Sequence, residues 1–265
     1  MRVAVLTLTA ALFLILLVLI GGSRSPRGPG PQPFVYPNGQ LVYVTRDTTV
    51  RNRHTWPDDG VAYESSSIEY VYRKLAEAVV ARGSARLLDV GAQSGLYALY
   101  ATHFDGIDVD AYEPFPESHA CLVDNIALNG AGGKVRAFAV ALSDADSTRT
   151  MRYTPEHTGL NTRGARPLRF SGGSEVQVET RTIDGIYAAT RVDVIKIDTE
   201  GWEYFVLLGG RSVLRRDRPE LLLEVNDANM TQCGVARGTL LALLAELGYR
   251  HVETIDGENM AFSAR

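Results

Sequence analysis

Leu87-Leu88-Asp89-Val90-Gly91-Ala92-Gln93-Ser94-Gly95 carries the decisive pattern: an apolar, β-prone run ends in two glycines, and a helical pattern opens at about Leu96. A strand that feeds a helix through such a loop lets backbone approach a ligand where a Cβ would clash, and it aims helix-terminal N–H groups at that ligand. The spacing is not Gly-x-Gly-x-x-Gly, so the cradle for a pyrophosphate is missing and a nicotinamide or flavin dinucleotide is disfavoured. A cofactor without phosphates fits better. The bland alternative is a tight strand-to-helix turn that holds no ligand.

Outward from this loop the chain alternates between two periods. Upstream, Ile68, Val71, Tyr72, Leu75 and Val79 recur at helical spacing behind a Ser66/Glu69 capping-box pattern, and Gly83 stops the run. Downstream, strands are predicted over 86–90, 109–113 and 135–142, with helices from 96 and over 117–129. A polar, Gly-rich insertion over 143–173 precedes a β-prone run over 176–182. Then come a strand over 192–198, a helix over 200–214, a strand over 220–225, a helix over 238–247 and a hairpin around Asp256-Gly257. This βαβ alternation predicts an α/β protein with a mostly parallel sheet, helices on both faces and an antiparallel C-terminal hairpin. The predicted second strand ends at Glu113, eighteen residues beyond Gly95, where a carboxylate can accept both hydrogen bonds of a ribose diol. Asp144, after the third strand, is placed to meet an adenine amino group, although Ser143-Asp144 is equally good turn chemistry.

Composition narrows the class. At 265 residues, 45% hydrophobic and 22% charged, the chain suits one globular domain with a short appendage. A net charge of −4 gives no basic field for a nucleic-acid backbone, so nucleic acid is set aside as a partner. Cys121 and Cys233 stand far apart without neighbouring ligands, and neither a disulfide framework nor a zinc site is indicated. Residues 3–20 are apolar or small apart from Thr7 and Thr9 and carry no charge. As a helix they would reach roughly 27 Å, near the hydrocarbon thickness of a bilayer. We read 1–22 as a transmembrane signal anchor, with a cleaved signal peptide ending near Gly21-Gly22-Ser23 as the rival. Arg2 on one side and Arg24 and Arg27 on the other leave the sidedness open. The Gly/Pro/Arg stretch 23–33 is a flexible linker, 34–74 an N-terminal extension and helix with a small peripheral hairpin around Pro37-Asn38-Gly39, and 75–265 the main domain.

Several segments together resemble the FkbM family of S-adenosylmethionine-dependent methyltransferases. They are Leu88-Asp89-Val90-Gly91-Ala92, Ala111-Tyr112-Glu113-Pro114, Asn125 with Asn129, Ala141-Leu142-Ser143-Asp144 and Thr182-Ile183-Asp184, followed by Lys196-Ile197-Asp198-Thr199-Glu200-Gly201 and Leu223-Glu224-Val225. The Lys-Ile-Asp-x-Glu-Gly segment is the most distinctive, and the likeness runs from about Leu75 to the C-terminus. The resemblance implies a class I methyltransferase Rossmann-like fold with a seven-stranded sheet. It also implies S-adenosyl-L-methionine as cofactor, held around Asp89, Gly91, Ala92, Gly95, Glu113 and Asp144, and O-methylation of sugar or natural-product hydroxyls. Gln93-Ser94 and Trp202 depart from the family pattern, and Trp202 stands where a small residue is usual.

Methyl transfer to a hydroxyl needs alignment, exclusion of water and a base or metal. Beyond the carboxyl ends of the later strands stand Asp198, Glu200, Glu224 and Asp227. Asp198 and Glu224 end neighbouring predicted strands, so they are candidate ligands for Mg²⁺ or Mn²⁺, with Asp198 as a direct base the alternative. Glu200 is expected to cap the helix it opens, and Lys196 to pair with a nearby carboxylate. The insertion offers His157 as a further candidate base, and Arg163, Arg166 and Arg169 as readers of an anionic group on a small-molecule or glycan acceptor. A non-catalytic module at a membrane and an N-methyltransferase are the competing readings.

Overall fold

The computed structural model describes residues 32–36, 41–44, 64–153 and 174–264. The expected membrane segment over 3–20, the Pro37-Asn38-Gly39 turn and His157 with the insertion arginines lie outside these residues. Among the described residues no helix is long and apolar enough to cross a membrane.

Strands β1 (Gln32–Val35) and β2 (Leu41–Val44) pair antiparallel, as the hairpin signal predicts. The hairpin is not peripheral. Phe34, Tyr36, Val42 and Val44 are buried in the main core, and the Tyr36 hydroxyl donates to the carbonyl of Leu96 at 2.7 Å. Helix α1 (Ser65–Arg82) then runs unbroken past Leu75 to Gly83, whose positive φ of 82° closes it. Its start corrects the capping-box reading. The helix opens one residue before Ser66, and the carbonyl of Glu64 already accepts from the N–H of Ile68, so Ser66 lies inside the first turn.

The remaining strands of the large sheet are β3 (Ala85–Val90), β4 (Ile107–Tyr112), β5 (Val135–Phe138), then, after a smaller sheet, β9 (Val194–Ile197), β10 (Glu220–Glu224), β11 (Tyr249–Ile255) and β12 (Asn259–Ala264). Their spatial order is β11-β12-β10-β9-β3-β4-β5. Five strands are parallel and the last two form the antiparallel hairpin, which gives the Rossmann-like sheet expected. Helices α2 (Leu96–Tyr100) and α3 (Pro116–Leu128) link the first three parallel strands. The chain goes from β3 outward through β4 and β5 and later returns to lay β9 on the other side of β3. That reversal makes the gap between β3 and β9 the topological switch point, where ligands of open α/β sheets bind beyond the carboxyl ends.

Side-chain alternation on these two strands has a chemical result. Leu88, Val90, Ile195 and Ile197 point into one apolar cluster, while Leu87 and Val194 point into the other. The strands pair with Asp89 opposite Lys196, so period two places a carboxylate and an ammonium side by side on the face covered by α1 and α2.

The segment predicted as one strand over 135–142 divides. After Phe138 the chain leaves the large sheet, and β6 (Ala141–Leu142) joins β7 (Ser147–Tyr153) and β8 (Ser174–Arg181) in a second sheet of order β6-β8-β7. β7 is missing from the sequence reading because its run over 147–151 is polar except for Met151, which is buried against Phe115, Ala141 and Val178. The helix predicted over 200–214 also divides. After the one-turn α4 (Ile183–Ile186) come α5 (Glu203–Leu208) and α6 (Arg211–Asp217), separated by Gly209-Gly210. A Cβ on Gly209 would fall 1.9 Å from the carbonyl oxygen of Ser143, so the loop after β6 presses on this joint. Helices α7 (Asp227–Gln232) and α8 (Arg237–Glu246) complete the second face, and α7 was not foreseen.

Candidate active site

The glycine loop leaves β3 at the switch point. Gly91 has φ +77°, and the N–H groups of Gly91 and Ala92 both donate to the carbonyl of Tyr112 at 3.0 Å. A Cβ on Gly91 would stand 1.8 Å from the carbonyl oxygen of Asp198, and one on Gly95 would stand 2.8 Å from Cδ1 of Leu122. Both glycines are thus required by the protein's own packing, Gly91 against the end of β9 and Gly95 against α3. Asn125 donates from Nδ2 to the carbonyl of Ser94 at 2.9 Å and pins the loop from below.

Glu113, at the tip of β4, turns inward. It is buried, and its Oε2 and Oε1 accept from the N–H groups of Gln93 at 2.9 Å and Phe115 at 3.0 Å. Burial pushes its carboxyl up to about 7, while the two N–H donors and, more remotely, Lys196 pull the other way. Each carboxylate oxygen has two acceptor positions, and one remains on each for a hydroxyl. Asp144 accepts from Ser143 Oγ and from Arg149, each at 2.8 Å. Ser143 Oγ also accepts from Trp202 Nε1 at 3.1 Å, and the Trp202 ring stacks on Phe205 with centroids 3.9 Å apart. The unusual tryptophan is thereby tied into the wall beside Asp144.

On the other side of the switch point, Asp198 follows β9 and its side chain is 26% exposed. Lys196 is buried. Its Nζ donates to the carbonyl of Gly91 at 3.0 Å and lies 3.5 Å from both Asp89 Oδ1 and Asp198 Oδ2. Burial alone would depress this ammonium, but Asp198, Asp89 and Glu64 outweigh it and hold the charge well above the usual lysine value. Asp89 is fully buried beneath the loop, where its expected cofactor role becomes that of partner to Lys196.

Glu200 does not cap a helix. It sits at φ 56° and accepts from Asn229 Nδ2 at 2.6 Å. Glu203 ties down this turn instead, its Oε1 accepting from Thr199 N and Oγ1 and from Gly201 N. Glu224 ends β10, and among the described residues its Oε2 has no hydrogen-bond partner. Burial, then the charges of Asp198, Glu200, Glu203 and Glu258, push its carboxyl up to about 11. The expected metal pair of Asp198 and Glu224 does share one acidic region. Among the described residues, however, no group of three or more His, Cys, Asp or Glu side chains is arranged to hold a metal ion. Asp227 lies at the surface and pairs with Arg237 at 2.7 Å.

Sequence reasoning missed Glu64 and Tyr97. The Tyr97 hydroxyl donates to Glu64 Oε2 at 2.8 Å, and the Tyr97 ring lies 5.0 Å from Lys196 Nζ. Tyr97 had a usable signal, since it stands two residues past the second loop glycine. Glu64 had none, because nothing in the run before Ser65 marks an acid brought to the site by the fold. The non-glycine residues with positive φ sharpen the picture. Of the five among the described residues, Asp256 belongs to a hairpin turn and Arg218 ends α6, while Glu64, Gln93 and Glu200 all belong to this site or its rim. Such backbone costs of order 1 kcal/mol or more per residue and tends to gather at functional sites.

Sheet order, switch-point loop and inward carboxylate define a Rossmann-like protein built to hold a nucleoside-bearing ligand. The chain belongs to the family described as the methyltransferase FkbM domain, whose pattern matches residues 89–251, and it is a methyltransferase. It is 28% identical over 193 residues to methyltransferase sdnD of Sordaria araneosa, covering 62% of this chain and 73% of that protein. It is 27% identical over 203 residues to the AMB antimetabolite synthetase AmbE of Pseudomonas aeruginosa, covering 60% of this chain but only 10% of that protein. A crystal structure of an FkbM methyltransferase from Methylobacillus flagellatus KT superposes with a TM-score of 0.42 at 16% identity, over 75% of this chain and 51% of that one. The chain thus spans about half the length of that solved relative.

The family implies S-adenosyl-L-methionine, and the residues fit it. Glu113 keeps acceptor capacity for a ribose diol. The acids around Lys196 outnumber the one ammonium they share and suit a cationic ligand.

Proposed function

We propose that this methyltransferase transfers the cofactor's methyl group to a hydroxyl of a sugar, glycan or other small acceptor, with Asp198 as the base that takes the hydroxyl proton. One observation carries the reading: Asp198 is a partly exposed carboxylate beside the glycine loop, with Lys196 held 3.5 Å from its Oδ2. The cofactor supplies an electrophilic methyl carbon on a sulfonium. The chain's own residues do the rest. Glu113 orients the ribose, the loop backed by Asn125 fixes the register, and Asp198 accepts the proton as the acceptor oxygen attacks.

A direct base is favoured over a cation shared by Asp198 and Glu224. Among the described residues, no group of three or more His, Cys, Asp or Glu side chains is arranged there to hold a cation, whereas Asp198 by itself is a partly exposed carboxylate able to take a proton. Arg163, Arg166 and Arg169 are proposed to read an anionic group on the acceptor, and residues 3–20 to anchor the chain to a membrane. Mass spectrometry of glycans and lipids from cells with and without the protein tests the acceptor class, since its products must lack one methyl group when the protein is removed. Identical profiles, together with no cofactor binding by calorimetry, would end the proposal.

A further inference from the structure

Glu64 occupies the N-cap of α1 yet makes no side-chain cap hydrogen bond. An acidic residue at this position ordinarily turns its carboxylate onto the first N–H groups of the helix. Here the backbone is in the left-handed region, φ 62° and ψ 33°, which a side chain with a Cβ adopts only at a cost. Strain and a missing cap on the same residue require a compensating contact, and the side chain identifies it. Tyr97, from the first turn after the glycine loop, donates to Oε2. Burial and then the charge of Asp198 push this carboxyl up, while Lys196 and hydrogen bonds from Tyr97 and from Asn259 of the C-terminal hairpin favour its charged form.

The count of charges gives this placement a use. Asp89 and Asp198 each lie 3.5 Å from the single ammonium of Lys196, and Glu64 acts on it from further away through its charge, so among the described residues three acidic side chains bear on one cation. Asp89 is sealed beneath the loop, and Asp198 and Glu64 flank Lys196 from two different elements. We infer that Glu64 is a positioning residue of the cofactor site, whose charge, acting across Lys196 and Asp198, makes the crevice favour the sulfonium cofactor over its uncharged thioether product. This rests on the methyltransferase reading and adds to it a carboxylate contributed from outside the segment that carries the family pattern. Its effect is on the difference between two ligands that share every atom except the transferred methyl group. A purely structural residue would alter both affinities alike.

Calorimetric titration of the full chain with S-adenosylmethionine and with S-adenosylhomocysteine tests the inference. The ratio of the two affinities is the readout. Glu64→Gln should weaken the sulfonium ligand on the order of tenfold, the scale of one charge removed from a partly shielded site, and leave the thioether within about twofold. Glu64→Asp, which keeps the charge, should restore most of the ratio. If Glu64→Gln does not fold, Tyr97→Phe provides the second probe. It frees the carboxylate from its hydroxyl partner and should lower the same ratio by a smaller factor. Equal weakening of both ligands, or an unchanged ratio in the folded variant, would overturn the role of Glu64 while leaving the enzyme reading intact. A wild-type chain that binds neither ligand would overturn both.

Discussion

The carbonyl oxygen of Asp198 occupies the place that a Cβ on residue 91 would need, 1.8 Å from its ideal position. The loop after β3 and the end of β9 are therefore in backbone contact at the switch point, with the N–H of Asp198 donating to the carbonyl of Val90 at 3.0 Å. The proposed base is held by the same contact that shapes the cofactor loop.

Gly91→Ala should accordingly fail as a fold before it fails as an enzyme. Left-handed backbone costs alanine about 1–2 kcal/mol, and the overlap with Asp198 adds a packing cost of about 1–3 kcal/mol. We expect a loss of at least about 2 kcal/mol, read from the urea midpoint at constant slope. A variant with the wild-type midpoint would mean that β9 and the loop are further apart than described.

The sheet was legible because its signals are local. Apolar runs punctuated by Gly83, Gly91 and Gly95 give strand and helix directly, and the Glu113 position follows from the length of one βα unit. What escaped reading depends on tertiary contact. The joint at Gly209-Gly210 exists because the Ser143 carbonyl presses there, and β7 exists because it pairs with β8 along seven residues from Ser147 to Tyr153. Glu64 reaches the site only because α1 and its preceding turn fold across β3 and β9. At the two loop glycines the sequence signals that a Cβ cannot fit, but only the fold shows that Asp198 and Leu122 stand in the way.

Asp198→Asn should separate chemistry from binding. The amide keeps the size and position of the carboxylate but cannot take a proton. Turnover should fall by about 10² to 10⁴ if general base catalysis is lost, while cofactor affinity changes within a few-fold. Turnover at the wild-type level would remove Asp198 from the role of base.

Two buried carboxyls make stability depend on pH. Glu113 and Glu203 are both pushed up to about 7, in each case first by burial. Their folded values lie above the unfolded one, so folding favours the protonated form. The contribution is whole below the unfolded value near 4.5 and is lost as pH rises through about 7. The melting temperature should decline over this window, and Glu203→Gln should flatten part of the decline. A melting temperature that climbs from pH 5 to pH 7 would contradict the burial of these groups.

Asn125 of α3 and Asn129 at the C-cap of the same helix should fail in different ways, although they lie four residues apart. Asn125 Nδ2 donates to the carbonyl of Ser94 inside the glycine loop. Asn129 acts on the hairpin, its Oδ1 accepting from Tyr43 N at 2.8 Å and its Nδ2 donating to Tyr43 O at 2.7 Å. The second side chain thus imitates a strand partner for β2. Asn129→Ala should cost about 3 kcal/mol, the sum of three ordinary hydrogen bonds, two to Tyr43 and one to the carbonyl of Asn125, and increase hydrogen exchange in the hairpin with little change in cofactor affinity. Asn125→Ala should instead loosen the loop that fixes the cofactor's register, and its main effect should be on cofactor affinity. If both variants lost cofactor affinity equally, hairpin and loop would have to respond as one cooperative unit, joined through Asn129 Nδ2, which also donates to the carbonyl of Asn125 at 2.8 Å.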